Sequence, residues 1–301
     1  MAIDNIKYDI TAAVVVLIWG GTFINTRILI DNGVGADEIF FIRAGIAYAA
    51  LCLFSAATGR GRRLHSKTWR DELTFLALGV TGGSLYFLTE NAAIGKTVVN
   101  NVSFIVSSTP ILATLLAISV TPGLKMNRYL ALGGCAAVGG LALVIYNGRH
   151  VLQLSPEGDA LALAASLSWA VYSVMIKSVA ERYDAFFVTR KTFAYGIISG
   201  LPILMHNGWS CGLETLAKPE VAGNLIYLGL GPSFLCFMIW AWVIRHLGSV
   251  RATNYIYLNP VSTMVVSAVV LGEVVTPLAF IGAALILAGI YVSMKEPKEN
   301  A

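Results

Sequence analysis

NVSFIVSSTPILATLLAISV (101–120) has a second copy further along the chain, ATNYIYLNPVSTMVVSAVVLG (252–272). Each stretch is about twenty residues long and apolar, with a polar opening and one proline near the middle. Pro110 and Pro260 lie 150 positions apart, and Trp19/Trp169 and Gly139/Gly289 keep the same offset. In a chain of 301 residues, landmarks repeating at half the length indicate two copies of one unit. The expected units are residues 1–148 and 149–301.

Composition sets the class. Apolar residues make up 56% of the chain and charged residues 13%, with a mean hydropathy of +0.72. A soluble domain carries about twice that share of charge. Apolar runs can be marked at 10–30, 37–58, 73–93, 100–121, 129–147, 158–180, 186–206, 222–244, 252–272 and 277–294. At about 1.5 Å per residue, each approaches or spans a ~30 Å hydrocarbon core. The runs do not alternate as barrel strands do. The expected fold is an all-α membrane protein of ten transmembrane helices, with the lipid bilayer as its main partner.

Basic residues orient it. With the N-terminus inside, the cytoplasmic set holds 14 Lys and Arg, including Lys7, Arg60, Arg62, Arg63, Arg245 and Lys298, while the outer set holds four: Arg27, Lys96, Arg149 and Lys218. This bias puts both termini in the cytoplasm of a multi-pass inner or plasma membrane protein. Five spans per unit is odd, so the second unit must enter the membrane upside down. Inverted repeats are the architecture of many secondary transporters, with a site near the midplane between them.

The chain resembles the EamA family of the drug/metabolite transporter superfamily. The likeness is carried by IWGGTF (18–23) and SLSWAVYSVMIK (166–177), by the polar opening and proline at 101–110 and in NYIYLNPV (254–261), and by LGEVVTPLAFIGAALILAGIYV (271–292). The last motif's Gly-Glu occurs once only, since Gly123 stands where the second copy has Glu273. The resemblance implies a ten-helix carrier with a cavity lined by helices 1, 3, 4, 6, 8 and 9 and with helices 5 and 10 at the periphery. It also implies small organic substrates, amino acids among them, often exported.

Several residues are candidates for the site. Glu90, in YFLTENAAI (86–94), is an acid inside hydrocarbon, which costs about 2.5–3.5 kcal/mol and marks a cavity or a partner. It either binds a proton or a substrate ammonium, or pairs with Arg43 or Arg27. Asn91, Asn101 and Asn254 either hold substrate or join helices. Trp19 and Trp169 lie about ten residues into their spans, away from the interface where tryptophans gather. Tyr86 shares a helix face with Glu90, Tyr172 with Trp169, and Tyr257 with Asn254. Trp240 is a further candidate. Each aromatic serves either an amphipathic ligand or packing. Pro110 and Pro260 are hinges or static kinks. Arg190 and Lys191 read as topological, Glu273 as an anchor of its turn, and the glycines of GGCAAVGG (133–140) and GAALILAG (282–289) as close-packing faces.

No catalytic motif is present: no HExxH, no GxSxG and no phosphate loop. The four histidines lack ligand spacing, and Cys211 lacks a loop partner. The expectation is no enzyme, no cofactor, no metal, no disulfide and no nucleic acid. A small-molecule substrate is expected, handled by a monomer or homodimer. The alternatives are a nucleotide-sugar or sugar-phosphate exchanger, which needs converging basic residues, and a scaffold or sensor, which needs a partner-binding loop or tail.

Overall fold

The structure is a computed structural model describing residues 3–59, 64–146, 155–271 and 275–295. Glu273, Arg60, Arg62, Arg63, Arg149, His150 and Lys298 lie outside the described residues, and with them those parts of the sequence reading. Every regular element among the described residues is helical. The helices are α1 (Ile3–Asp31), α2 (Ala36–Thr58), α3 (Trp69–Lys96), α4 (Val99–Val120), α5 (Arg128–Tyr146), α6 (Pro156–Ala180), α7 (Ala185–Asn207), α8 (Pro219–Leu247), α9 (249–271) and α10 (Pro277–Ser293). A single turn, Leu213–Leu216, precedes α8. Six of these helices, α1 to α4, α6 and α8, are long and apolar enough to cross a membrane by length and composition.

Four helices are irregular, and the irregularities recur at the 150-residue offset. A π-helical turn at Val80–Ser84 interrupts α3, and one at Gly229–Cys236 interrupts α8. In α4 the helix breaks at Ser107–Ser108, and in α9 it tightens into a 3₁₀ turn at Tyr255–Leu258. Pro110 and Pro260 sit just after these breaks, at the start of the helical segments that follow. A proline costs little there, because the first turn of a helix has no use for its missing N–H. In the first copy the Thr109 hydroxyl donates to the Val106 carbonyl at 2.6 Å, satisfying the break locally.

Contacts between helices follow the same two-fold logic. α1 packs on α9 as α6 packs on α4; α3 packs on α6 as α8 packs on α1; α3 packs on α7 as α8 packs on α2. Polar side chains fix the crossings. Thr263 donates to the Gly20 carbonyl at 2.8 Å, joining α9 to α1. Thr109 and Ser166 share a hydrogen bond of 3.0 Å, joining α4 to α6. Ser262 donates to the Leu17 carbonyl. Such bonds contribute about 0.6 kcal/mol each in a bilayer.

Ion pairs and rings tie the helix ends. At one end Arg251 of α9 meets Asp9 of α1 at 2.6 Å, and Tyr8 stacks on His246 of α8. There also Arg182, just past α6, meets Asp71 of α3 at 2.5 Å. Lys191 of α7 meets Glu72 of α3 at 2.9 Å and so also ties these two helix ends together. At the opposite end Lys96 of α3 meets Glu157 of α6 at 2.5 Å, and the Arg27 guanidinium of α1 donates to the Ile94 carbonyl. α1 and α6, which carry the paired tryptophans, therefore run antiparallel.

α5 and α10 form a pair of their own, seated on small residues. A Cβ on Gly140 would stand 2.5 Å from the Gly282 carbonyl, and one on Gly133 2.5 Å from the Gly289 carbonyl. The glycine faces thus meet inside one chain. Gly140→Leu is expected to destabilise the protein by about 1–3 kcal/mol, read as a lowered melting temperature in detergent. Gly223→Ala on α8, where the added methyl meets open space, is expected to leave melting unchanged or raised.

Candidate functional site

Where the two halves meet, seven helices converge on one buried pocket. Trp19, Thr22 and Phe23 come from α1, Arg43 from α2, and Tyr86, Phe87 and Glu90 from α3. Val106 comes from α4, Trp169 from α6, Phe237 from α8, and Ile256 and Asn259 from α9. The space between the walls is about 410 Å³. Most of it lies within contact distance of wall atoms, leaving room for water and not for a metabolite. The two indoles close it: Trp19 and Trp169 meet edge to face with centroids 5.3 Å apart. In this conformation the pocket is closely packed.

The ionisable groups lie on the first half, while Asn259 of the second half adds an amide. The Tyr86 hydroxyl donates to Glu90 Oε1 at 2.5 Å, as their one-turn spacing on α3 permits. Arg43 lies over the Phe87 ring, 4.3 Å from its centroid, and its Nε donates to Ser233 Oγ at 2.9 Å. Its Nη1 has no hydrogen-bond partner, and neither has Asn259 Oδ1. Both atoms are fully buried, an arrangement that costs about 1–3 kcal/mol per group in a protein interior. Arg43 is 1% exposed and Glu90 4%, so a buried basic and a buried acidic side chain line one pocket. No direct ion pair joins them among the described residues; Glu90's direct partner is Tyr86. Arg27, the other partner considered for Glu90, pairs instead with Asp31 at 2.9 Å.

The second half answers with rings. At the 150-residue offset, Glu90 corresponds to Trp240, Phe87 to Phe237 and Arg43 to Phe193. Trp240 packs on Trp19 with centroids 5.1 Å apart, Phe193 on Phe237 at 5.0 Å, and Phe237 on Trp169 at 5.4 Å. The pocket is therefore polar toward α2 and α3 and aromatic toward α6 and α8.

The π-helical turns set this geometry. Widening α8 places the Pro232 carbonyl where it accepts from Trp19 Nε1 at 3.0 Å, which holds one indole in place. In α3, Gly82 lets the Tyr172 ring lie directly against the backbone; a Cβ there would overlap the ring.

Of the candidates named from sequence, Trp19, Tyr86, Glu90 and Trp169 line this pocket. Tyr172 and Trp240 stand behind its wall, each touching a lining ring. Asn91 is buried, and its amide donates to the Ala36 carbonyl at 2.9 Å, tying α3 to α2. Asn101 is buried on α4 outside the pocket. Asn254 and Tyr257 face a different cavity. The implied set of lining helices omitted α2, which enters through Arg43. Phe87 and Phe237 were missed altogether, although their 150-residue spacing was readable.

Comparison with known proteins identifies the family. Residues 6–146 and 156–295 each match the model of the EamA-like transporter family. A probable terminal-alkyne amino-acid exporter of Streptantibioticus cattleyicolor is 29% identical over 278 residues, covering 91% of this chain and 89% of that protein. An uncharacterized transporter of Archaeoglobus fulgidus is 25% identical over 291 residues, covering 96% and 98%. The uncharacterized inner membrane transporter YedA of Escherichia coli is 25% identical over 284 residues, covering 90% and 85%. A solved crystal structure superposes with a TM-score of 0.72 at 19% identity, covering 96% of this chain and 97% of that one, and so shares the fold.

The Tyr86–Glu90 bond can be measured by a double-mutant cycle. Tyr86→Phe and Glu90→Gln, singly and together, are expected to show a coupling of about 1.5–3 kcal/mol in melting experiments. Additive effects would mean that the bond contributes nothing.

Proposed function

Because the chain belongs to the EamA-like transporter family, we propose that it is a secondary transporter that exports small α-amino acids with aliphatic side chains. The observation that carries this reading is the polarity of the central pocket. Arg43 Nη1 is a buried cationic donor without a partner, and it suits a carboxylate. Glu90 and the unpartnered Asn259 Oδ1 are acceptors that suit an ammonium. The rings of Trp169 and Phe237 suit an apolar side chain. A zwitterion with a hydrocarbon tail meets all three demands at once. The name of the S. cattleyicolor relative, an amino-acid exporter, supports the same substrate class and direction.

Transport proceeds by alternating access. All ten helices cross the inner or plasma membrane, with both termini cytoplasmic and the repeats 1–148 and 149–301 inverted. The antiparallel course of α1 and α6 supports this arrangement. The closely packed conformation is the occluded intermediate between two open states, and the breaks before Pro110 and Pro260 are the hinges. Glu90 is the coupling group. A proton on it removes the pocket's negative charge and weakens its hold on the ammonium.

Neither alternative from sequence finds comparable support. A nucleotide-sugar or sugar-phosphate exchanger needs several cations in the pocket, and among the described residues Arg43 is the one cation lining it. Lys191 is occupied by Glu72. The scaffold or sensor reading gains no large partner-binding segment among the described residues.

Flux into proteoliposomes tests the reading. Norleucine is expected to be carried. Pentylamine and hexanoate, which lack one charged group each, are not. Arg43→Met should lower norleucine flux at least tenfold, and Glu90→Gln should flatten its pH profile. Equal flux of all three solutes would refute the zwitterion site.

A further inference from the structure

A second cavity opens on the flank of the bundle between α4, α5 and α9. Its walls are mostly aliphatic, including Ile111 and Leu130. Thr114, Asn254 and Tyr257 add polar groups to the wall, and the Asn254 amide donates to the Ser293 hydroxyl at 3.1 Å. Ile111 and Cys135 are exposed on this flank, so in a bilayer the cavity faces lipid. The α4–α5 turn lies beside it and contributes Met126.

Two helices, α4 and α9, contribute residues to both this cavity and the central pocket, and both are irregular where they do so. On α4, Val106 lines the central pocket and Pro110 the lateral one, with the break at Ser107–Ser108 between them. On α9, Ile256 and Asn259 line the central pocket, while Asn254 and Tyr257 line the lateral one. Around the 3₁₀ turn at Tyr255–Leu258, residues three apart thus share a cavity, one pair lining each. Broken helix segments change course at less cost than regular ones, because fewer intrahelical hydrogen bonds must open.

We propose that the lateral cavity is a membrane-side mouth of the central pocket, used by a transported amino acid with an aliphatic side chain. The α4 break and the α9 3₁₀ turn form the door. The solute's chain lies against Ile111 and Leu130 while its polar head meets Asn254 and Tyr257. Withdrawal of the turn then joins the two cavities. This proposal rests on the transporter reading above and adds the route.

Photolabelling separates the two. The full-length protein in lipid nanodiscs is illuminated with an α-amino acid bearing an alkyl diazirine side chain, and adducts are mapped by mass spectrometry with and without excess norleucine. Competed adducts are expected both at Trp19 or Trp169 and at Leu130, Cys135 or Tyr257. Ile111→Trp, a lipid-facing change that fills the lateral cavity, should remove the second set and slow the appearance of the first at least fivefold, with melting unchanged. Competed adducts in the central pocket alone would overturn the lateral mouth and leave the transporter reading standing. Adducts at neither place, or lateral adducts that norleucine does not displace, would overturn the proposal, and an unlabelled central pocket would count against the amino-acid reading as well.

Discussion

Arg43 and Glu90 are opposite charges held inside a helical bundle that belongs in hydrocarbon. Each costs about 2.5–3.5 kcal/mol to place at mid-membrane on insertion scales, and the rest of the structure accommodates that cost. Phe87 lies under the guanidinium, Ser233 accepts from one of its nitrogens, and Tyr86 donates to the carboxylate. What is left over is informative. The free Arg43 Nη1 and the free Asn259 Oδ1 are of opposite sense and line the same pocket. A protein that needed these charges only for stability could pair them directly or replace them with packed apolar residues at little loss. Leaving them apart, with rings opposite, keeps a hydrogen-bonding capacity that a solute can complete.

Duplication explains why such a pocket exists. π-helical turns in α3 and α8 and breaks in α4 and α9 occur at equivalent places in the two halves, and the helix contacts swap in pairs. A bundle of this kind can exchange the conformations of its halves without changing its total contacts much. The side chains do not share the symmetry. Where the first half has Glu90 and Arg43, the second has Trp240 and Phe193. The backbone repeats between the halves, and the broken side-chain symmetry gives the pocket a polar pole and an apolar one.

Much of this was legible in the sequence. Helical spans follow from the length of the apolar runs, and the offset of 150 residues picks out Trp19 and Trp169, which do meet. Glu90 stood out because an acid in an apolar run is expensive. The sorting of amides was not legible. Asn91 looks like a continuation of the Glu90 cluster, yet one residue along a helix is 100° of rotation, and it faces α2 instead. Asn254 and Tyr257 share a face by simple helical spacing, but the chain tightens there into a 3₁₀ turn that includes Tyr257, and that face meets the lateral cavity. The π-helical turns likewise add a residue to α3 and α8 and re-aim Phe87 and Phe237. Local departures from 3.6 residues per turn decide the site, and periodicity cannot see them.

The account stands on a pocket reached from both sides of the membrane in turn. Thr22 lines that pocket on α1, and a thiol placed there reports access. A Thr22→Cys protein with its native cysteines replaced would be sealed in oriented vesicles and exposed to a charged, impermeant thiol reagent from one side or the other. Modification from either side, slowed by a bound amino acid, is the predicted result. Reaction from one side alone, or from neither while flux continues, would contradict it.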